Sequence, residues 1–306
     1  MSRYERLSVG VADMVIALDL WHETLGFDLV HHRHGSDPHL ERLWELPKGE
    51  IAEQALLATP DAPGGRLHLV RFRSQVRTVR GTADVTDRCP KNLDVNVIDL
   101  PERVERLRSR GYRLRSEPVA YRFGDLDVRE VQLPVHDDVN LVLAEIVGEP
   151  LAVTPRGFGG ITSTVTTVDD LDRETEFLER LGFDRLDHHV LRGPQIESMV
   201  GLGAGGALEL QLLGAPADRF GRAELVRYHG AAGRDLYEQA RPPVRGLFRA
   251  AVRVDDPTAT LAGLQPPPSA ARHASPPALP DAPSPSVSVV SPAGWWIDLL
   301  GPDAQS

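Results

Sequence analysis

Cysteine is almost missing from this chain: Cys89 is the only one among 306 residues. An internal disulfide and a cysteine-based zinc site are therefore excluded. Long apolar runs are missing as well, since no stretch approaches the about 20 apolar residues that a membrane span requires. The beginning of the chain, MSRYERLSVGV, lacks the apolar core of a signal peptide. We therefore expect a cytoplasmic protein without a membrane partner.

Lysine is scarce, because Lys48 and Lys91 are the only two and every other basic residue is arginine. Together with abundant Ala, Gly and Pro, this is typical of a GC-rich bacterial genome. The formal net charge of −10 argues against a nucleic-acid-binding surface. With 41% hydrophobic and 25% charged residues, the composition is that of an ordinary soluble globular protein. We expect a small molecule as its partner, with a homodimer as a candidate assembly.

One segment occurs twice. The sequence DMVIALDLWHETLGF (Asp13 to Phe27) returns as DLDRETEFLERLGF (Asp170 to Phe183). Each copy follows a strand-like run, begins with an aspartate suited to cap a helix, and ends at a glycine suited to stop one. A histidine-bearing strand candidate follows each copy. Such a repeat, half a chain apart, predicts two similar halves built from the same unit.

Strand and helix patterns divide the chain into four βαβββ units, which indicates an α+β fold. Units one and two fill residues 1–148, a Pro/Gly-rich linker covers 149–159, and units three and four fill 160–306. Unit three is predicted to run from Ile161 to Leu213. A polar insert near 215–241 is compatible with helix, and the Pro-rich stretch near 265–286 predicts a loop.

These segments, with HDDVNLVL (His136 to Leu143) and SPAGWWIDL (Ser291 to Leu299), resemble the vicinal oxygen chelate superfamily. It includes glyoxalase I, type I extradiol dioxygenases, and the fosfomycin and bleomycin resistance proteins. Length and layout resemble the extradiol dioxygenases most. The resemblance implies that units one and two form one open cup and units three and four a second. It also implies metal ligands that point inward from the first and last strands of each unit.

The residues at those positions suit a metal poorly. The first half offers Arg6, His68, Asn92 and Val142, and the second offers Ser163, Glu209, Arg249 and Asp298. An extradiol enzyme would carry His, His and Glu at Ser163, Arg249 and Asp298, and arginine does not bind metals in proteins. We therefore predict no metal and no cofactor, although Fe(II) is the metal that the resemblance implies.

Five histidines are further candidates for a metal site: His31, His32, His34, His188 and His189. His32 and His34 lie on one face of a predicted strand, and His188 matches His32 in the repeat. Because no acidic partner is fixed by spacing, we interpret them as solvent-facing residues of an outer strand.

Three charged residues are the predicted catalytic group. Asp298 and Glu209 should both point into the second cup, where a carboxylate needs a partner, and Arg249 is the natural one. They could move protons or grip a substrate, or form a salt-bridged scaffold. The predicted substrate-binding residues are a stacking tryptophan, three cup-lining polar residues and two residues of the insert as a lid: Trp296, Ser163, His68, Asn92, Tyr228 and His229.

Three functions follow from this pattern. The first is a metal-independent lyase, isomerase or cyclase that acts on an aromatic or polyketide-like metabolite. The second is a non-catalytic protein that binds a drug or metabolite, as resistance proteins of the superfamily do. The third is a ring-cleaving dioxygenase with a displaced metal site.

Overall fold

The computed structural model describes residues 2–74, 77–148, 154–265, 267–274 and 286–302. Among these residues, no helix has both the length and the apolar character needed to cross a membrane. Unit one contains β1 (Tyr4–Gly10), α1 (Met14–Leu18), β2 (Asp28–His34), α2 (Pro38–Leu43), β3 (Ile51–Ala58) and β4 (Arg66–Phe72). Unit two contains β5 (Pro90–Val97), α3 (Leu100–Ser109), β6 (Val119–Phe123), β7 (Leu126–Pro134) and β8 (Asn140–Ile146).

The second half repeats this order. Unit three contains β9 (Phe158–Thr167), α4 (Leu171–Arg180), β10 (Asp184–Arg192), α5 (Pro194–Val200), β11 (Ala207–Gly214) and β12 (Arg222–His229). Unit four contains β13 (Gly246–Arg253), α6 (Pro257–Gly263), β14 (Ala271–Ala274), β15 (Ser286–Val290) and β16 (Trp296–Leu300). Of the predicted Pro-rich loop, residues 271–274 form β14, and residues 266 and 275–285 lie outside the described residues.

The repeated segment has the predicted local structure. The Asp13 carboxylate accepts a hydrogen bond from the Val15 backbone N–H at 2.8 Å, and Asp170 caps α4 in the same way. Gly26 and Gly182 have φ angles of 82° and 88°, in the left-handed region that glycine adopts without a Cβ clash. In the first copy, α1 continues as a π-helical turn (Asp19–Thr24) before it ends.

The strands form two eight-stranded sheets, in the orders β14-β15-β16-β13-β1-β4-β3-β2 and β10-β11-β12-β9-β5-β8-β7-β6. Units one and four therefore share the first sheet, whose concave face we call the outer cup. Units two and three share the second sheet, whose concave face we call the inner cup. Four βαβββ units and two cups are confirmed. The predicted composition of the cups is wrong, because each cup takes one unit from each half of the chain.

The cups are arranged in this way because each sheet is formed by pairing the first strands of two units from opposite halves of the chain. Strand β1 pairs antiparallel with β13, and β5 pairs antiparallel with β9. Consecutive units touch through turns and helices instead. Trp21 Nε1, in the π-helical turn after α1, donates to His136 Nε2 of unit two at 2.8 Å. On α4, the Glu174 carboxylate accepts from the Ala293 N–H of unit four at 2.8 Å. The two halves are thus interlocked around one core that contains residues of all four units.

The predicted helical insert near 215–241 is also wrong in its main part. Residues Arg222–His229 form β12, which pairs with β11 and with β9, and only Tyr237–Ala240 form a short 3₁₀ turn. The alternation in RAELVRYH satisfies the strand ladder, and β12 is the last strand that a βαβββ unit requires. Unit three therefore ends at His229 and not at Leu213.

A pair of glycines holds the two sheets together. Between the sheets, the N–H of Tyr4 donates to Gly221 O at 2.6 Å. Within units one and three, the N–H of Gly65 donates to Tyr4 O at 2.9 Å, and the N–H of Gly221 donates to Ile161 O at 3.0 Å. Both glycines have positive φ angles, of 69° and 67°. A Cβ on Gly221 would lie 2.2 Å from Tyr4 O, and one on Gly65 would lie 2.6 Å from Ile161 O. The backbones approach this closely only because neither residue has a side chain.

We expect Gly221→Ala to destabilise the protein by at least about 1–3 kcal/mol, the cost of the left-handed conformation, with the clash adding to it. Urea unfolding followed by circular dichroism measures the free energy of unfolding. Gly203→Ala is the matched control, since its Cβ would meet nothing within 4 Å, and it should change stability by less than about 0.5 kcal/mol. Equal stabilities of the two variants would contradict the close contact.

Candidate functional site

The outer cup is filled by the protein's own side chains. Helix α2 inserts Leu40 and Leu43, which pack with Trp44, Val70 and Phe248. The Asp37 carboxylate caps α2 by accepting from His39 and Leu40 N–H groups. In this plug the indole of Trp44 covers strands that would face solvent in an open cup.

Two of the predicted catalytic residues form a buried ion pair under this plug. Arg249 Nε donates to Asp298 Oδ1 at 2.8 Å, and Trp44 Nε1 donates to Asp298 Oδ2 at 3.1 Å. Arg249 also donates to Ser288 Oγ at 2.7 Å. The guanidinium carbon lies 5.2 Å from the centre of the Trp296 ring, and the side chains of Arg249 and Asp298 are each only 1% exposed. The surroundings favour the scaffold interpretation for this pair, and Trp296 packs on arginine.

His68 lies in the same cup. Its Nδ1 is 3.2 Å from Ser8 Oγ, and its Nε2 is 3.0 Å from the Gln54 side-chain amide. Burial, together with the positive charge of Arg6, holds the pKa of His68 well below its usual value, so the ring is neutral. It is a satisfied core histidine in this arrangement.

The inner cup, by contrast, contains a cavity of about 360 Å³. Its walls are mostly apolar and come from units two and three, with aromatic and aliphatic side chains on β6, β7, β11 and α5: Tyr121, Phe123, Val128, Leu208, Leu210 and Met199. Most of its polar residues lie on the central strands β5, β9 and β12, and the others are Glu130 and Gln132 of β7, Asp187 of β10 and Arg219. A preformed apolar cavity with a few convergent polar groups is the usual form of a small-molecule site.

Two carboxyl groups and a hydroxyl meet at the centre of the inner cup. Asp94 of β5 lies directly opposite Ser163 of β9, and Glu224 comes from the neighbouring strand β12. Ser163 Oγ lies 2.6 Å from Asp94 Oδ2 and 3.3 Å from Glu224 Oε2. The Asp94 and Glu224 side chains also interact with each other directly. All three side chains line the cavity.

Burial governs the protonation of this pair. Burial, and then the proximity of Glu224, raises the pKa of Asp94 well above its usual value. Burial, and then the negative charge of Glu130, raises the pKa of Glu224 to about 7. The pair therefore holds a proton near neutral pH. Such perturbed carboxyl pairs are typical of acid/base sites.

Further polar residues surround the pair. Glu130 accepts hydrogen bonds from Tyr121 Oη and from Gln132 Nε2, and burial raises its pKa. Asn140 Nδ2 donates to Asn92 Oδ1 at 2.9 Å. Asn92, one of the predicted binding residues, thus lines the cavity with its amide already engaged.

Tyr228 lines the cavity as well, from β12 and not from a lid. Its hydroxyl accepts a hydrogen bond from Lys91 Nζ, and burial raises the pKa of Tyr228. Burial, and then the charge of Arg80, lowers the pKa of Lys91 well below its usual value. The next residue, His229, points to the opposite face of the sheet.

Glu209 lies outside both cups, which corrects the prediction that it points inward. On β11 it alternates with Leu208 and Leu210, which line the cavity, so its side chain projects from the other face. There it accepts from Arg227, at 2.8 Å, and contacts His188 and His229. The structure therefore does not bring Glu209 together with Arg249 and Asp298, which belong to the other sheet.

The carboxyls that do face the inner cup, Asp94 and Glu224, were missed by the sequence analysis. Asp94 lies two residues after the predicted position Asn92, and therefore on the same face of β5. Glu224 lies in the segment interpreted as helical. Its signal was the polar and apolar alternation Arg222-Ala223-Glu224-Leu225, together with the strand that unit three still lacked.

The inner cup does not fit the iron site that the resemblance implies. The inward positions on its four central strands are Asp94, Val142, Ser163 and Glu224, which include no imidazole, and Val142 offers no ligand atom. Fe(II) sites of the two-His-one-carboxylate type need both histidines. The donor set is suited to holding protons between oxygens.

Comparison with solved structures identifies the fold. Glyoxalase I from Zea mays superimposes with a TM-score of 0.63 and 18% identity, over 98% of this chain and 92% of that chain. A mutant of the same enzyme gives a TM-score of 0.65. A putative dioxygenase from Bacillus subtilis gives 0.59 at 12% identity, over 98% of this chain and 86% of that chain. No protein-family model and no curated protein matches the sequence.

For the Arg249–Asp298 pair, we expect Asp298→Ala to cost about 3–5 kcal/mol of stability, because it leaves a buried guanidinium uncompensated. The double variant Arg249→Met/Asp298→Leu should recover most of that loss, because no charge stays buried. Chemical denaturation of the two variants and the wild type measures the difference. Equal losses in the single and double variants would argue against charge pairing as the source of stability.

Proposed function

Because the chain has the fold of the vicinal oxygen chelate superfamily, we propose that it is an enzyme of that superfamily whose active site is the inner cup. The observation that carries this proposal is the Asp94–Ser163–Glu224 group in a cavity of about 360 Å³. A carboxyl pair that titrates near neutral pH inside an apolar cavity is suited to general acid/base catalysis. The reaction class is a metal-independent isomerisation, cyclisation or elimination.

The roles follow from the two protonation states. The ionised Glu224 carboxylate takes a proton from a carbon next to a substrate carbonyl. The protonated Asp94 carboxyl donates its hydrogen bond, and then its proton, to that carbonyl oxygen. Ser163 Oγ contacts both carboxyls and holds them in position. In an isomerisation, Glu224 gives its proton to a different carbon of the conjugated enol while Asp94 takes back the proton of the enol oxygen. In an elimination, Asp94 takes back that proton while the group on the next carbon leaves with the electron pair of its bond and takes the proton from Glu224.

The walls define the substrate class. Tyr121 and Phe123 offer aromatic surface, aliphatic residues form much of the remaining wall, and Arg219 and Arg222 also line the cavity. The acidic centre would repel an anionic group next to the reacting carbonyl, so we propose an aromatic or polyketide-like ketone that carries no negative charge at that end. A binding protein for the same molecules is the second candidate, since a preformed cavity with aromatic walls serves binding as well as turnover.

Solvent isotope exchange tests this function without knowledge of the natural substrate. We expect the protein to catalyse deuterium incorporation from D₂O into members of a panel of small aromatic and cyclic ketones, detected by mass spectrometry. Glu224→Gln should slow exchange by about 10²–10⁴-fold, because the general base is lost. Glu209→Gln is the matched control, on the opposite face of the same sheet, and should exchange like the wild type.

Other outcomes separate the alternatives. Binding of panel members without exchange would favour the binding protein over the enzyme. Exchange that is lost after removal of metal by a chelator, and restored by Fe(II), would contradict metal independence.

The pH dependence gives a further test. Glu224 must be ionised to act as a base, so the exchange rate should fall about tenfold per pH unit below about 7. Because the charge of Glu130 contributes to the raised pKa of Glu224, Glu130→Gln should move this limb to lower pH. Exchange rates measured between pH 5 and 9, on the order of one value per half unit, define the limb. A limb that Glu130→Gln leaves in place would contradict the assignment of Glu224 as the base.

A further inference from the structure

A second cluster of ligating side chains lies far from the cups' centres, on the edge strand β2. His32 and His34 alternate along β2 and therefore share one face, with ring centres 5.2 Å apart. Glu53 of the neighbouring strand β3 pairs directly with His34. The sequence analysis found no acidic partner for these histidines, and the pairing of β2 with β3 supplies one.

The donor atoms of these residues converge on one point. His32 Nε2 lies 3.0 Å from Glu53 Oε1, and His34 Nδ1 lies 3.6 Å from the same oxygen. All three ligand atoms fall within 4.8 Å of one another. Tetrahedral zinc, with bonds of about 2.0–2.1 Å to nitrogen and oxygen, places its ligand atoms about 3.3 Å apart. The two distances to Glu53 lie on either side of that value.

A neighbouring residue orients the carboxylate for this role. Arg71 Nε donates to Glu53 Oε2 at 2.8 Å, which leaves Oε1 directed at the two imidazoles. Burial alone would raise the pKa of Glu53, but the hydrogen bonds from Arg71 and His32 lower it, so the carboxylate is ionised. Hydrogen-bonded partners of this kind commonly hold the ligands of metal sites.

From this geometry we propose that His32, His34 and Glu53 form a binding site for Zn²⁺. Two imidazoles and a carboxylate are ligands that zinc accepts, and the fourth position faces solvent, because the His34 side chain is 74% exposed. The ion enters from that side. Once bound, it links the edge strand β2 to β3, so it stabilises the end of the first sheet.

The repeat provides a natural comparison. Glu209 occupies on β11 a place similar to that of Glu53 on β3, and Arg227 binds it as Arg71 binds Glu53. Its two oxygens, however, point to different histidines: Oε1 to His188 at 3.0 Å and Oε2 to His229 at 2.9 Å. Among the residues that the structure describes, only the β2–β3 group brings three such ligands to one point. Histidine and glutamate side chains on neighbouring strands thus do not form a metal site unless their ligand atoms converge on one point.

Calorimetric titration of tag-free, chelator-stripped protein with Zn²⁺ tests the site. We expect one zinc ion per chain. His34→Ala and Glu53→Gln should each weaken binding by more than about tenfold, since even the loss of an outer-sphere partner has that effect on metal affinity. His188→Ala is the matched control on the equivalent strand, and it should bind zinc like the wild type.

Thermal unfolding provides a readout that does not depend on the inner cup. Zinc should raise the melting temperature of the wild type and of His188→Ala, and should leave that of His34→Ala unchanged. Absence of zinc binding, or wild-type binding by His34→Ala, would overturn the proposal. Neither result would affect the exchange experiment at Glu224.

Discussion

Antiparallel hydrogen bonds between β5 and β9, and between β1 and β13, join the two halves of this chain into two continuous sheets. Each cup depends on one of these pairings for its central residues. The β5–β9 register sets Asp94 opposite Ser163, and the β1–β13 register sets Ser8 opposite Arg249. Because side chains alternate along a strand, a shift of one residue would turn both groups out of their cups. Gly65 and Gly221 allow the backbones near these strands to meet.

The two cups are built from the same kind of unit but differ in the charges at their centres. In the outer cup Arg249 and Asp298 carry opposite charges, so this pair is neutral overall, and Trp44 covers it. In the inner cup the central charges have the same sign. Asp94 and Glu224 cannot both be ionised at low cost in a buried cavity, which is why their pKa values are raised. The like charges of the inner cup therefore leave a group that gains and loses a proton near neutral pH, whereas the opposite charges of Arg249 and Asp298 neutralise each other.

Environment, more than residue type, separates the acidic residues. Glu209 and Glu224 lie on adjacent strands of one sheet but on opposite faces. Arginine and histidine side chains surround Glu209, and its pKa is lowered in spite of partial burial. Glu224 faces an apolar cavity with two other carboxyls, and its pKa rises to about 7. Glu53 and Glu209 differ in geometry. One oxygen of Glu53 contacts two imidazoles, whereas each oxygen of Glu209 contacts a different imidazole.

Local features of the chain were readable from the sequence alone, because short-range physics determines them. Asp13 and Asp170 cap helices, Gly26 and Gly182 end them, and strand and helix patterns indicated four similar units. The glyoxalase-type fold was implied by the resemblance of these segments to a known superfamily. Asp298 and Arg249 were correctly paired, since both lie on strands of one unit. The pairing of strands that are distant in the sequence could not be predicted in this way. Consecutive and interlocked arrangements of the units bury similar apolar faces, so only the tertiary structure decided that units two and three share a cup. That decision made Asp94 and Glu224 neighbours across 130 residues of chain, and no local pattern records such a contact.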